Sequence, residues 1–272
     1  MLEPDLSGQV ALVTGSAKGV GRDLLLTLAE CGADVAVHYR SSGEAAAEVA
    51  RKASDLGVQT TALQADVTDP ADVAALFDGV ETDLGTVDIL VNNAGVVQGG
   101  KYDDISDEED ELTLDVNVEA VHWMTKKFLH LLEDSDDSHI VQMASAAGMI
   151  GVPDQVVYSA SKWFVIGFSR ALRQELQSYD QDHVNMTIVS PSLVDTGMFE
   201  GSDPPMLMPT LDPDYMADQI VNGVKNNKLF VREPFLVKLM PFMKGVLPVN
   251  AVDFVLEKMG ARDLMKNWTG RH

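Results

Sequence analysis

The strongest constraint on how this chain can fold is a repeated alternation. QVALVTG (residues 9–15) is a short apolar run closed by threonine and glycine, and it leads into GVGRDLLLTLAECG, where leucines recur at helical spacing. Strand-like runs return at ADVAVHYR (33–40), VQTTALQADV (58–67), VDILVNNAG (87–95), HIVQMAS (139–145) and VNMTIVS (184–190). Between them EAAAEVARKASDLG (44–57), PADVAALFDGVETDLG (70–85), a stretch around 107–133 and another from 156 to 179 carry helical periodicity. Apolar strands alternating with helices imply a parallel sheet covered on both faces, a doubly wound α/β arrangement. No linker or repeat interrupts the series, so a single domain over 1–272 is expected. Residues 9–95 form its first half, 107–190 its second, and 191–272 an apolar lid and tail.

With 46% hydrophobic residues the chain can bury a full core. Forty-two acidic residues against twenty basic ones leave a net charge of −22. That balance argues against a nucleic-acid partner, because phosphate neutralisation needs a positive face. It fits a salty cytoplasm or a merely acidic surface. No run of about 18 uncharged apolar residues occurs and the start, MLEPDLSGQV, lacks the marks of a signal peptide, so a cytoplasmic location is expected. The single cysteine, Cys31, leaves no intramolecular disulfide or cysteine-rich metal site and reads as a small buried hydrophobe.

TGSAKGVG sets Gly15, Gly19 and Gly21 between the first strand and its helix, where the backbone can turn tightly and approach a pyrophosphate at the helix N-terminus. Strand before and helix after favour a dinucleotide over a bland turn. At the end of the second strand an acidic residue would hold ribose hydroxyls and repel a 2′-phosphate. HYRSS instead offers Tyr39, Arg40, Ser41 and Ser42, and the glycine turn adds Lys18. These cations and hydroxyls argue for NADP, with NAD left open.

YSASK (158–162) places Tyr158 and Lys162 four apart on one helix face. A phenol of pKa near 10 is a poor base at neutral pH, but an adjacent ammonium favours the phenolate. Ser145, thirteen residues earlier at a strand end, could reach the same substrate oxygen.

Taken together, TGSAKGVG, Asp66 in QADV, NNAG (92–95), Asn117 in DVNV, Ser145 and the Tyr158/Lys162 pair resemble the short-chain dehydrogenase/reductase family along essentially the whole chain. The resemblance implies a Rossmann-type fold with Tyr158 as general acid/base and Ser145 orienting the substrate oxygen. Lys162 would bind the nicotinamide ribose and lower the tyrosine pKa, and Asn117 would hold a relay water. It also implies cofactor contacts from Ser16, Val20, Val67, Asn93, Ala94, Gly95, Pro191, Ser192, Val194 and Thr196, with no metal. Many members have Pro-Gly where this chain has Pro191-Ser192, a departure that bears on nicotinamide docking.

LVDTGMF, PTLDPDYMADQIVNGV and the tail KLMPFMKGVLP resemble the branch of retinol dehydrogenases and lipid-droplet hydroxysteroid dehydrogenases, which implies a lipophilic alcohol or carbonyl substrate. Two alternatives stand beside it: a 3-oxoacyl-thioester reductase, and a non-catalytic cofactor sensor or scaffold. The expected substrate pocket includes Val152, Met198, Phe199 and Met240. Residues 225–272 carry net +5 against −27 for the rest, which sets the tail apart. PFLVKLMPFMKGVLP (234–248) has three readings: core, a methionine-rich lid over the site, or a weak membrane-surface contact through its lysines. Its prolines are expected to break it into pieces of about six residues. A homodimer or homotetramer through the helices at 107–133 and 156–179 completes the expectation.

Overall fold

The computed structural model describes residues 6–135 and 137–270. Seven strands form one parallel sheet: β1 (Val10–Val13), β2 (Asp34–Tyr39), β3 (Thr60–Gln64), β4 (Ile89–Asn92), β5 (Ser138–Met143), β6 (Val184–Pro191) and β7 (Phe230–Glu233), in the order β3-β2-β1-β4-β5-β6-β7. Every residue of β1, β4 and β5 is buried, so β1 and most of β4 are apolar without alternation, while the polar Ser138, His139 and Gln142 of β5 are hydrogen-bonded inside. The order reverses between β1 and β4, so the turns that leave these two strands stand side by side at the carboxyl end of the sheet, where this class of fold opens a crevice.

Helices α1 (Gly19–Glu30), α2 (Gly43–Asp55) and α7 (Pro213–Lys225) pack on one face through Leu24, Leu28, Val49, Ile220 and Val221. On the other face lie α3 (Pro70–Asp83), α5 (Ala120–Asp134) and α6 (Val156–Ser178), with Leu76, Phe128, Leu132 and Val165 buried. Local signals fix the starts: Asp69 caps α3 ahead of Pro70, Asp212 caps α7 ahead of Pro213, and Ser106 with Glu109 forms a capping box on α4 (Asp107–Leu114).

A third apolar cluster sits above the carboxyl end of the sheet and joins Tyr158 to Leu193, Met208, Val237, Met240, Leu256 and Leu264. Part of it comes from α8 (Phe235–Val246), α9 (Val249–Lys258) and the segment after them. Backbone bonds clasp that segment to the loop following β6: Asp203 donates to Leu264, Met206 to Met259 and Thr269 to Glu200.

Three expectations need correction. The stretch at 107–133 is not one helix, because a π-helical turn over Asp115–Glu119 separates α4 from α5 and turns Asn117 inward. Pro241 does not break the tail, since α8 runs through it with the proline exposed to solvent. Nor is the tail's apolar set one buried face: Phe235 and Phe242 are 66% and 70% exposed. Lys244 secures the helix instead, donating to the Met149 carbonyl and standing 3.9 Å from the centre of the Trp163 ring on α6.

Candidate active site

The glycine turn is locked from behind before it meets any ligand. Gly15 and Gly19 take φ of +65° and +56°, conformations that favour glycine, and a Cβ on Gly21 would lie 2.4 Å from Asn93 Nδ2. Thr14 Oγ1 accepts from the amides of Asn93 and Ala94, and Asn93 Nδ2 donates to the Thr14 carbonyl, so the turns after β1 and β4 form one unit. His38 adds a further tie. The Gly15 amide donates to its Nδ1 at 2.8 Å, and its Nε2 lies 3.1 Å from the Ala65 carbonyl. That pairing makes Nε2 the protonated nitrogen, and burial holds the ring's pKa down to about 4.

In front of this unit runs a long open groove. Of the expected cofactor residues it brings together Gly15, Lys18, Gly19, Val20, Gly21, Arg40, Ser41, Asp66, Val67, Asn93, Ala94, Gly95, Tyr158, Lys162, Pro191, Ser192, Val194 and Thr196. Two expected residues are not on its wall. Ser16 is wholly buried and its Oγ accepts from the His38 amide, while Tyr39 packs its ring against Gly43. His38, Ser42, Val96 and Met143 line the groove as well. Helix α1 begins at the groove with no acidic residue in its first turn and no side-chain cap, which leaves its amide end open to an anion. Lys18, Arg40, Ser41 and Ser42 supply the charge and donors a ribose phosphate would need.

At the far end of the groove Ser145, Tyr158 and Lys162 are all less than a tenth exposed. Lys162 Nζ donates to the Met143 carbonyl at 2.9 Å and lies 5.7 Å from the centre of the Tyr158 ring. Burial drives the two groups apart: Tyr158 is pushed up to about 12, against a hydrogen bond with Ser145 that favours the phenolate, and Lys162 is pulled down to about 8. At the tyrosine desolvation outweighs the Ser145 bond. Asn117 bonds both backbone groups of Val96 and the Ser161 hydroxyl, so its amide braces the strand end beside Lys162. A Cβ on Gly95 would lie 3.2 Å from Asn117 Oδ1 and 3.4 Å from Lys162 Nζ, which explains the glycine there.

Beyond Ser145 the groove meets a second, smaller cavity, lined by Ala147, Ile150, Val152, Gln155, Leu193, Phe199, Met208, Leu256, Met259 and Leu264 among others. Ser145, Ser192 and Phe199 belong to both spaces. Of the four expected pocket residues, Val152 and Phe199 line this cavity and Met198 lines the groove. Met240 lines neither and is buried in the third cluster behind the wall. The tail's share of the wall comes from 256–264, downstream of the stretch expected to supply it.

Comparison with known proteins places this geometry among relatives. The family model described as short chain dehydrogenase matches residues 9–206. Epidermal retinol dehydrogenase 2 of Mus musculus is 33% identical over 270 residues, covering 98% of this chain and 87% of its own. Retinol dehydrogenase 10-B of Danio rerio is 34% identical over 286 residues, covering 97% and 85%. A crystal structure of a short chain dehydrogenase from Burkholderia cenocepacia, solved in complex with NADP, superposes with a TM-score of 0.77 at 31% identity, covering 84% of this chain and 97% of that one.

Proposed function

Because this chain belongs to the short-chain dehydrogenase family, an oxidoreductase family that interconverts alcohols and carbonyls, we propose that it does so with NADP(H) on a lipophilic substrate. The observation that carries the reading is the junction at Ser145, where a groove suited to a phosphorylated dinucleotide opens onto an almost wholly apolar cavity. The glycine turn and the N-terminus of α1 would hold the pyrophosphate, Lys18 and Arg40 with Ser41 and Ser42 the ribose phosphate, and Asp66 and Val67 the adenine. Lys162 would hold the nicotinamide ribose, and Pro191, Val194 and Thr196 the nicotinamide. The bound cofactor supplies or accepts hydride at the substrate carbon.

The chain's own work is with the proton and the position of the oxygen. Ser145 donates to the substrate oxygen and fixes it beside the Tyr158 hydroxyl. In reduction Tyr158 gives its proton to that oxygen, and a phenol kept protonated by burial suits this direction. Lys162 lies behind the tyrosine and replaces the proton, with Asn117 bracing the backbone beside it and taking part in the relay that leads to water. The relatives named retinol dehydrogenase support a retinoid-like substrate, and the NADP in the Burkholderia structure supports the cofactor assignment. Tyr158→Phe is expected to bind NADP normally and lose at least about 10²-fold in kcat for reduction of retinal or steroid ketones. A variant that keeps most of its turnover would remove the acid/base assignment.

A further inference from the structure

His38 closes the buried run of β2, where packing alone would be served by another apolar residue like Val35, Ala36 and Val37 before it. It is 2% exposed and yet borders the dinucleotide groove. An imidazole so placed is costly unless both nitrogens are bonded, and here the two bonds go to different loops. Nδ1 accepts from the Gly15 amide at 2.8 Å, in the turn after β1, and Nε2 donates to the Ala65 carbonyl at 3.1 Å, just past β3. Backbone bonds double the first tie: the Ser16 amide donates to the His38 carbonyl at 3.0 Å, and the His38 amide to Ser16 Oγ at 3.1 Å. On its other side Gly15 faces the turn after β4, where a Cβ would lie 3.2 Å from Ala94 Cα. The glycine turn is thus wedged between the imidazole and that turn, and Ala65 is held by the same ring.

Gly15 opens the turn that would take the pyrophosphate, and Ala65 leads directly into Asp66 and Val67, the residues assigned to the adenine. The Gly15 amide is engaged by the ring and not offered to phosphate, so His38 acts through the turn. We propose that His38 is a positioning residue for the cofactor, a strut whose two nitrogens set the glycine turn and the adenine end of β3 against each other before any ligand arrives. A turn already in place need not be ordered by the ligand, which adds affinity. This rests on the dinucleotide reading of the groove.

Asparagine and glutamine separate the two bonds. Asparagine carries an acceptor where Nδ1 stands but is too short for Ala65, whereas glutamine carries a donor where Nε2 stands and no acceptor at the δ position. Isothermal titration of the intact protein with 2′-AMP reads the adenine end, and the ratio of its Kd to that of 2′,5′-ADP reads what the added 5′-phosphate gains at the glycine turn. In His38→Asn the Kd of 2′-AMP is expected to rise about fivefold while the ratio stays within about twofold of wild type. In His38→Gln the ratio is expected to fall about fivefold while 2′-AMP stays within about twofold. His38→Leu should lose on both measures. Equal losses in the asparagine and glutamine variants, or no loss in either, overturn the strut. Wild type that binds neither fragment removes the dinucleotide reading and the strut with it; fragments that bind wild type but show no crossed pattern leave that reading and remove the strut alone. Should one variant fail to fold, the other decides by its own pair of measurements.

Discussion

Arg40 stands at the end of β2 with its side chain 55% exposed and Asp66 Oδ2 3.9 Å away, close enough to be oriented but not neutralised. Arg40→Asp is expected to move the NADP-to-NAD ratio of kcat/KM about 10- to 100-fold towards NAD, the effect of losing one or two charge-assisted bonds. An unchanged ratio would sink the phosphate clamp. His139 makes a different prediction. Its Nε2 lies 2.8 Å from Thr187 Oγ1, whose own proton goes to the Lys228 carbonyl, so the ring donates and is neutral. Burial lowers its pKa to about 4. Between pH 6.5 and 4 the unfolded chain takes up a proton that the folded chain does not, so wild type loses stability as pH falls through this window. The deficit of His139→Asn seen in urea melts at pH 7 should shrink by up to about 1.4 kcal/mol per pH unit. A deficit that does not change with pH would contradict the buried neutral ring. YSASK and the glycine turn were legible because their spacing is local. His38 was not, since its role depends on Ala65 at the end of another strand, and a lone His carries no such signal.

Helices α8 and α9 present one side to the third cluster through Val237, Met240, Val252 and Leu256. The other side leaves Phe235, Phe242, Val246, Val249 and Phe254 exposed, with Lys238 and Lys258 nearby in sequence. Among the described residues no helix is long and apolar enough to cross a membrane. An interfacial contact is the role such a surface could take. Vesicles containing phosphatidylserine are expected to pellet the chain weakly, and Phe235→Ser with Phe242→Ser should abolish pelleting while leaving activity on water-soluble ketones unchanged. Wild type that stays in the supernatant at both low and high salt would remove this role. The sequence gives the composition of this region without its orientation: three prolines suggested a broken segment, yet Pro241 falls where its ring meets water. Strand β7 escaped notice because four residues at a sheet edge, FVRE, carry too short an alternation to stand out.

For the whole molecule, charge and shape pull against each other. Trp123 and Trp163 are 41% and 46% exposed on α5 and α6, and Leu114 on α4 and Val156 on α6 are exposed too, apolar surface suited to self-association through these helices. A net charge of −22 opposes the approach of two copies, and salt shortens that repulsion from about 10 Å at 0.1 M to about 3 Å at 1 M. Light scattering should therefore report a mass rising towards twice the 29.5 kDa of one chain as sodium chloride is raised, and Trp123→Asp should hold it at one. A monomer at every salt concentration would exclude this interface. The doubly wound sheet was legible because its alternation spans the chain, while the clasp between the loop after β6 and residues 259–269 was not, because backbone bonds between irregular segments leave no pattern in side chains. That clasp divides the labour of the chain. The dinucleotide groove draws on residues up to Phe199, whereas part of the cavity roof comes from Pro205, Met208 and residues 256–264, two segments clasped to each other by backbone bonds outside the sheet and the glycine turn. Substrate taste and cofactor choice can consequently drift apart in descent, one segment being rewritten while the other is inherited intact.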